Sequence, residues 1–151
     1  MNKKLLFLIF VTSIVSTSSI AVTNISVNKF CNTNDKLINF DKFSYDPYLT
    51  VYFARYSFDY DFTVKVLESE YLADVVIKDN QDNQDYLICK STNGLNIKIL
   101  EYSYDPDFTI KISNSAFEDY DFAIYNDSKI LSIEEAISIL VIPIYSFVDI
   151  D

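Results

Sequence analysis

The chain repeats a short unit made of one turn and one run of alternating apolar and polar residues. The first apolar residue after each turn is, in order, Leu49, Phe62, Val75, Tyr86, Leu95, Phe108 and Phe122. Successive members of this series lie 13, 13, 11, 9, 13 and 14 residues apart. A unit of that length holds one strand of about 5–6 residues and a turn, but no helix. The repeat predicts an all-β domain of about seven short strands over residues 44–126.

Each strand of this domain is expected to have two different faces. Phe62, Val64 and Val66 are apolar, whereas Thr63 and Lys65 between them are polar. The same alternation recurs in two later segments, Leu95–Ile99 and Phe108–Ile112. Because successive side chains of a strand point to opposite faces, one face should form the core and the other should meet solvent.

The first 21 residues have the pattern of a secretory signal peptide. Lys3 and Lys4 precede the apolar run Leu5–Val15, and Ser19-x-Ala21 is a small-residue cleavage pattern. The apolar run is shorter than the ~20 residues that a membrane-spanning helix needs, which disfavours a retained anchor. The expected product is a secreted or periplasmic protein without membrane attachment.

The segments on either side of the repeats differ from them. Residues 22–43 are polar, and we expect them to be an irregular N-terminal segment. Residues 127–151 form a C-terminal extension in which Ser132-Ile133-Glu134-Glu135 is a capping-box pattern. Apolar residues follow this pattern, which predicts a short helix that ends before Pro143.

Composition excludes several classes of function. The chain has no His, so hydrolases with a Ser-His-Asp or Cys-His site are excluded, as are zinc sites that need imidazole. Its one glycine, Gly94, excludes the glycine-rich loops that bind phosphates and dinucleotides. The net charge of −10 argues against nucleic-acid binding. We therefore expect no catalytic residues, no cofactor and no metal.

The repeated units resemble those of the 7(1) septoil knot domain family. The resemblance rests on three segments, Val51–Ser57, Ser69–Ile77 and Tyr102–Ile112, which carry parts of a unit made of a Tyr-Ser pair, a turn with Asp and a short alternating strand. Ala73-Asp74 preserves the Ala-Asp pair of the family's unit. The resemblance implies a small β domain with a deeply knotted backbone and brings no established activity. An unknotted β-repeat or meander is the alternative arrangement.

The two cysteines of the chain, Cys31 and Cys89, are candidates for a disulfide. An exported protein meets an oxidising compartment, where disulfides form and persist. Cys89 takes the outward-facing position that Lys65 and Lys98 take in other units. A bond between the cysteines would attach the N-terminal segment to the outside of the sheet and stabilise the fold by roughly 4 kcal/mol. Two unpaired thiols are the alternative.

The turns are rich in acidic and aromatic residues. The acids cluster at Asp59 and Asp61, at Asp79, Asp82 and Asp85, at Asp105 and Asp107, and at Glu118, Asp119 and Asp121. Solvated turn residues explain them, and a calcium site in Asp79–Asp85 is the alternative. Phe62, Phe108 and Phe122 are expected in the core. Four tyrosines beside turn acids are expected at the rim: Tyr45, Tyr60, Tyr104 and Tyr120.

Together these observations favour an exported, non-catalytic β domain that serves as a stable structural or binding module. Its partner surface is expected to be strand edges and aromatic turns, and a protein or a carbohydrate is the expected class of partner. The alternative function is a small secreted protein that binds calcium or carbohydrate through its acidic and aromatic turns.

Overall fold

The computed structural model of the protein describes residues 22–55, 59–82 and 84–141. These residues form nine β-strands and one α-helix. The strands are β1 (Thr23–Asn28), β2 (Lys36–Phe40), β3 (Leu49–Phe53), β4 (Phe62–Val66), β5 (Val75–Asp79), β6 (Tyr86–Lys90), β7 (Leu95–Leu100), β8 (Phe108–Ser113) and β9 (Phe122–Asn126), and the helix is α1 (Ile133–Ile139). The predicted signal peptide at residues 1–21 lies outside the described residues.

The prediction of an all-β domain with a C-terminal helix is confirmed, but the number of strands is wrong. The seven predicted strands are β3–β9, and each begins at its predicted first apolar residue, from Leu49 to Phe122. The expectation of an irregular segment over residues 22–43 is also wrong, because β1 and β2 lie there. In β1, Ile25 and Val27 are buried in the core and alternate with polar residues, as in the later strands.

The nine strands close into a barrel in the order β1-β5-β9-β4-β8-β3-β7-β2-β6. Every pair of neighbours is parallel, and consecutive strands of the chain lie two places apart in the ring. The chain therefore makes almost two circuits, and the strands of the second circuit fill the gaps left by the first. This order contradicts a meander, in which consecutive strands would be neighbours.

A stagger between strands explains how short connections can join parallel strands. The last residue of β6, Lys90, and the first residue of β7, Leu95, both lie beside Ile38 of β2. Phe53 and Phe62, at the end of β3 and the start of β4, likewise flank Ile110 of β8. Each connection therefore crosses one strand, about 10 Å, and does not return along a full strand length. Four residues suffice between β6 and β7.

The inner face of the strands is buried, and the outer face is buried where connections cross it. The inward side chains form one core, in which Phe62 lies 5.7 Å from Phe108 and 6.2 Å from Phe122 between ring centroids. Outward residues are also buried where a connection crosses them, and the fully buried examples are Ser26, Cys89 and Ala123. The expectation that the outer face meets solvent is therefore wrong at the crossings.

The helix α1 packs its apolar side into the same core. Ala136, Ile137 and Ile139 are buried and belong to the barrel's core cluster. The predicted capping box is present, since Ser132 Oγ accepts from the Glu135 amide and Ser132 donates its own amide to the Glu135 carboxylate. No helix among the residues described is long and apolar enough to cross a membrane.

Candidate functional site

The predicted disulfide is present and joins a connection to the strand beneath it. Cys31 lies in the connection between β1 and β2, which crosses β6, and Cys89 is the fourth residue of β6. The Cα atoms are 5.3 Å apart. The bond fastens the crossing on the outside of the barrel, as the outward position of Cys89 predicts.

At other crossings, the connection also contacts the outward-facing fourth residue of the strand that it crosses. Between β5 and β6, the Gln81 amide donates to Ser26 Oγ of β1 at 2.8 Å. Between β2 and β3, the Ser44 carbonyl accepts from Lys98 Nζ of β7 at 2.8 Å. Two lysines lie over tyrosine rings of crossing connections, Lys111 over Tyr60 and Lys65 over Tyr120. At all these places the connection passes outside the strand.

Five turn acids, which we call the bridging aspartates, hold crossed strands by hydrogen bonds to the backbone. They are Asp61, Asp74, Asp85, Asp107 and Asp121, each the last residue before a strand. Their carboxylates accept backbone amides from the second residue of the crossed strand, at 2.7–2.9 Å: Thr109, Ala123, Asn24, Thr50 and Thr63, respectively. Four of these aspartates also donate their own backbone amide to the backbone carbonyl of the same strand residue. The exception is Asp107, whose amide donates to Thr50 Oγ1. These five aspartates therefore have a structural role at the crossings.

Gly94 takes the place of an aspartate in the shortest connection. A Cβ atom at this position would lie 2.4 Å from the backbone nitrogen of Ile38 and 2.4 Å from the carbonyl carbon of Leu37. The connection between β6 and β7 thus touches the backbone of β2 directly, and a residue with a side chain does not fit there. This close approach explains the one glycine in the chain.

The proposed calcium ligands in Asp79–Asp85 do not converge on one point. Asp79 accepts hydrogen bonds from the Ser128 hydroxyl and the Lys129 amide, whereas Asp85 holds the amide of Asn24. Over residues 22–55, 59–82 and 84–141, no group of three or more His, Cys, Asp or Glu side chains is placed to hold a metal ion.

Exposed aromatic side chains cover one side of the barrel. Eight of the ten exposed aromatic residues in the described part of the chain lie on five connections, which cross the neighbouring strands β9, β4, β8, β3 and β7. We call this surface the aromatic arc: Phe43, Tyr45, Tyr60, Tyr71, Tyr102, Tyr104, Phe117 and Tyr120. Tyr45, Tyr104 and Phe117 are 104%, 88% and 98% exposed, respectively. The prediction that Tyr45, Tyr60, Tyr104 and Tyr120 are rim residues is confirmed.

Lysine side chains lie against several rings of the aromatic arc. The distances from Nζ to the ring centroid are 4.8 Å for Lys42 and Phe43, 5.3 Å for Lys111 and Tyr60, and 5.1 Å for Lys65 and Tyr120. Cation–π contacts of this kind contribute about 0.5–1 kcal/mol at exposed sites and restrict the ring orientations. These contacts therefore fix the orientation of part of the arc.

Ion pairs between strand lysines and connection glutamates shift the pKa values of a few charged groups. A hydrogen bond from Lys111 lowers the pKa of the Glu118 carboxyl, and the same contact raises the pKa of Lys111. Glu70 raises the pKa of Lys78 in the same way. Burial lowers the pKa of Lys36, which stands at the start of β2 where most other strands have an apolar residue.

A second surface, absent from the sequence-based expectations, is a polar cleft beside the disulfide. We call it the amide cleft because six amide side chains line it: Asn28, Asn32, Asn34, Asn80, Gln81 and Gln84. Asp35, Asp82 and Leu87 complete its wall, and its volume is about 410 Å³. The connection between β1 and β2 supplies one side and the connection between β5 and β6 the other. Only the strand order brings these two segments together.

No known family model matches the chain, and no curated protein matches it in sequence.

Proposed function

We propose that the chain is an exported, non-catalytic binding module that contacts a partner protein through the aromatic arc. The observation that carries this proposal is the concentration of exposed tyrosine and phenylalanine side chains on five adjacent connections. Aromatic residues are enriched at the centres of protein interfaces because they bury a large area with few rotatable bonds.

The charge of these connections indicates the chemistry of the partner. The five connections, residues 41–48, 54–61, 67–74, 101–107 and 114–121, contain 13 acids and two bases. A surface with this excess of negative charge attracts a positively charged partner and repels an acidic one. We therefore expect the partner to present basic residues around an apolar patch.

Closure of the barrel removes the other partner surface that the sequence suggests. Every one of the nine described strands pairs on both sides, so a partner strand cannot be added at an edge. The bridging aspartates already accept backbone amides, which argues against a catalytic use of those carboxylates. Of the two partner surfaces expected from the sequence, strand edges and aromatic turns, the aromatic arc is therefore the one available for contact.

A random-peptide display library tests the proposal with the folded protein as bait. The arc variant carries Tyr45→Ser, Tyr102→Ser and Tyr104→Ser, and the matched control carries Phe30→Ser, an exposed aromatic residue outside the arc. We expect the wild type and the control to enrich peptides with Lys or Arg beside apolar residues, and the arc variant to lose them. Absence of enrichment, or enrichment that the arc variant retains, would contradict the proposal.

Export and knotting belong to the same proposal. A disulfide between the two cysteines supports export, since such bonds persist in oxidising compartments. The crossings support the knot that the septoil resemblance implies. For example, β1 lies beneath the connection between β5 and β6, and the connection that follows β1 passes outside β6.

Two measurements test these parts. In amino-terminal sequencing, the exported protein should begin at Val22, and a full-length chain retained in the cell would contradict export.

For the knot, the termini are ligated in the folded state, and the ring is then reduced and denatured. It should be more compact on size exclusion than a ring closed from a never-folded synthetic chain. Identical elution would contradict knotting.

A further inference from the structure

The disulfide turns one stretch of the backbone into a closed covalent ring. Residues 31–89 contain β2, β3, β4, β5 and most of β6, and the Cys31–Cys89 bond joins the two ends of this stretch. In the barrel, β5, β4, β3 and β2 lie two places apart, and β6 lies beside β2. The ring therefore makes one circuit of the barrel, and we call it the belt.

The chain that follows the belt runs through its inside. We call residues 90–141 the tail, and each tail strand, β7, β8 and β9, lies beneath a connection of the belt. Outward-facing residues of the tail strands contact these connections: Lys98 contacts Ser44, Lys111 contacts Tyr60, and Ala123 contacts Asp74. Because the connections pass outside the strands, the three tail strands run inside the belt.

Between these strands, the tail returns along the outside of the belt. The connection from β7 to β8 crosses β3, where the outward hydroxyl of Thr50 donates to Asp107 at 2.9 Å. The connection from β8 to β9 crosses β4, where the outward Lys65 lies 5.1 Å from the centroid of the Tyr120 ring. Since all the strands are parallel, the described part of the tail passes through the belt three times in the same direction.

We infer that the Cys31–Cys89 bond is a latch, which must close after the tail is in place and then holds the tail in the belt. While the two thiols are reduced, the belt is open, and either end of the chain can move to wind the tail and the belt together. After closure, the tail leaves only if its end is drawn back through all three passages. The latch is independent of the aromatic arc and goes beyond the binding function proposed above.

The two cysteines are placed for closure as the last step. Cys31 is exposed, whereas Cys89 is fully buried beneath the connection that carries Cys31. A small disulfide oxidant can therefore reach Cys31 after the strands have formed, and the two form a mixed disulfide. The Cys89 thiolate then attacks the Cys31 sulfur, so the two protein thiols lose two electrons and two protons and the oxidant becomes two thiols. A thiol reductant opens the latch by the reverse steps.

Oxidation of the unfolded chain tests the latch. The protein is reduced and unfolded in guanidinium chloride, and one half is oxidised there at low protein concentration. The chain has only two cysteines, so the native bond forms without a threaded tail. After dilution, this half should not regain the native circular dichroism in the time that the reduced half needs, and dithiothreitol should restore it. A bond without a threaded tail has the opposite effect, since it removes entropy from the unfolded chain and favours folding.

The matched control is the variant with Cys31→Ala and Cys89→Ala, which should refold at the same rate after both treatments. Refolding of the oxidised half as fast as the reduced half would overturn the inference.

A second measurement decides the matter without refolding. A cysteine-free domain that stays folded in guanidinium chloride is fused to the C-terminus, where it blocks withdrawal of the tail. Two samples of this fusion, one oxidised while folded and one oxidised while unfolded, have the same mass and the same bond. In guanidinium chloride, the first should elute later on size exclusion because its tail is still wound through the belt, and dithiothreitol should abolish the difference. Equal elution before reduction would overturn the inference.

Discussion

Replacement of the bridging aspartate Asp74 by alanine should destabilise the fold far more than loss of an ordinary turn acid. The Asp74 carboxylate accepts the amide of Ala123 at 2.7 Å, and Ala123 is fully buried in β9. Asp74→Ala leaves that amide buried without an acceptor. A hydrogen bond to a charged group contributes about 1.5–3 kcal/mol, and an unsatisfied buried amide costs a similar amount. We therefore expect a loss of about 2–3 kcal/mol in the free energy of unfolding.

Equilibrium unfolding in guanidinium chloride, followed by circular dichroism, measures this loss. The midpoint should fall with an unchanged slope, since the folded barrel exposes the same surface. Asp74→Asn keeps an acceptor oxygen and should lose about half as much. The matched control is Asp46→Ala, at an exposed acid of the connection between β2 and β3, which should stay within about 0.5 kcal/mol of the wild type. Equal effects of Asp74→Ala and Asp46→Ala would refute the assignment of a holding role to Asp74.

Three further predictions concern other contacts. Joint replacement of Cys31 and Cys89 by alanine should lower the free energy of unfolding by about 4 kcal/mol, because their bond closes a separation of 58 residues; a loss below about 1 kcal/mol in denaturant titration would contradict this. Gly94→Ala should lower the melting temperature by the equivalent of about 1–3 kcal/mol, since its Cβ would meet the backbone of Ile38; an unchanged melting curve would show that the two backbones do not touch. Lys36→Met should raise the melting temperature near neutral pH. Burial lowers the pKa of Lys36 below its usual 10.5, so the charged form is penalised in the folded state, and the penalty disappears as pH rises toward 10.5. The gain should therefore shrink in alkaline buffers, and a pH-independent gain would argue against the charge as its cause.

The sequence could predict local features well. The starts of β3–β9 follow from a turn residue and then a large apolar residue, and both signals are local to each unit. The helix follows from the capping box at Ser132 and Glu135. The Cys31–Cys89 bond follows from two cysteines in a chain with a signal-peptide pattern, and its place outside the sheet follows from the outward position of Cys89. In contrast, β1 and β2 lack the tyrosine-aspartate turn that precedes β3, β4, β8 and β9, and the alternation of Ile25 and Val27 alone does not identify a strand.

Strand order could not be predicted, because alternation reports the face of a side chain and not the neighbour of its strand. The parallel barrel depends on the stagger at residues such as Ile38, which meets the end of β6 and the start of β7. The amide cleft could not be predicted from the sequence for the same reason. Asn34 and Gln84 lie 50 residues apart in the chain and face one cleft only because of the strand order.

The connections cross outside parallel strands at equivalent positions, and an engineered disulfide tests this arrangement most directly. Gln81 and Ser26 meet where the connection between β5 and β6 crosses β1, as Cys31 and Cys89 meet over β6. Gln81 and Cys31 both lie five residues before the next strand, and Ser26 and Cys89 are each the fourth residue of the strand beneath. In the Ser26→Cys, Gln81→Cys variant, mass spectrometry of a non-reducing digest should find this new bond together with the native one. Free thiols at both new cysteines, beside an intact native bond, would contradict the account.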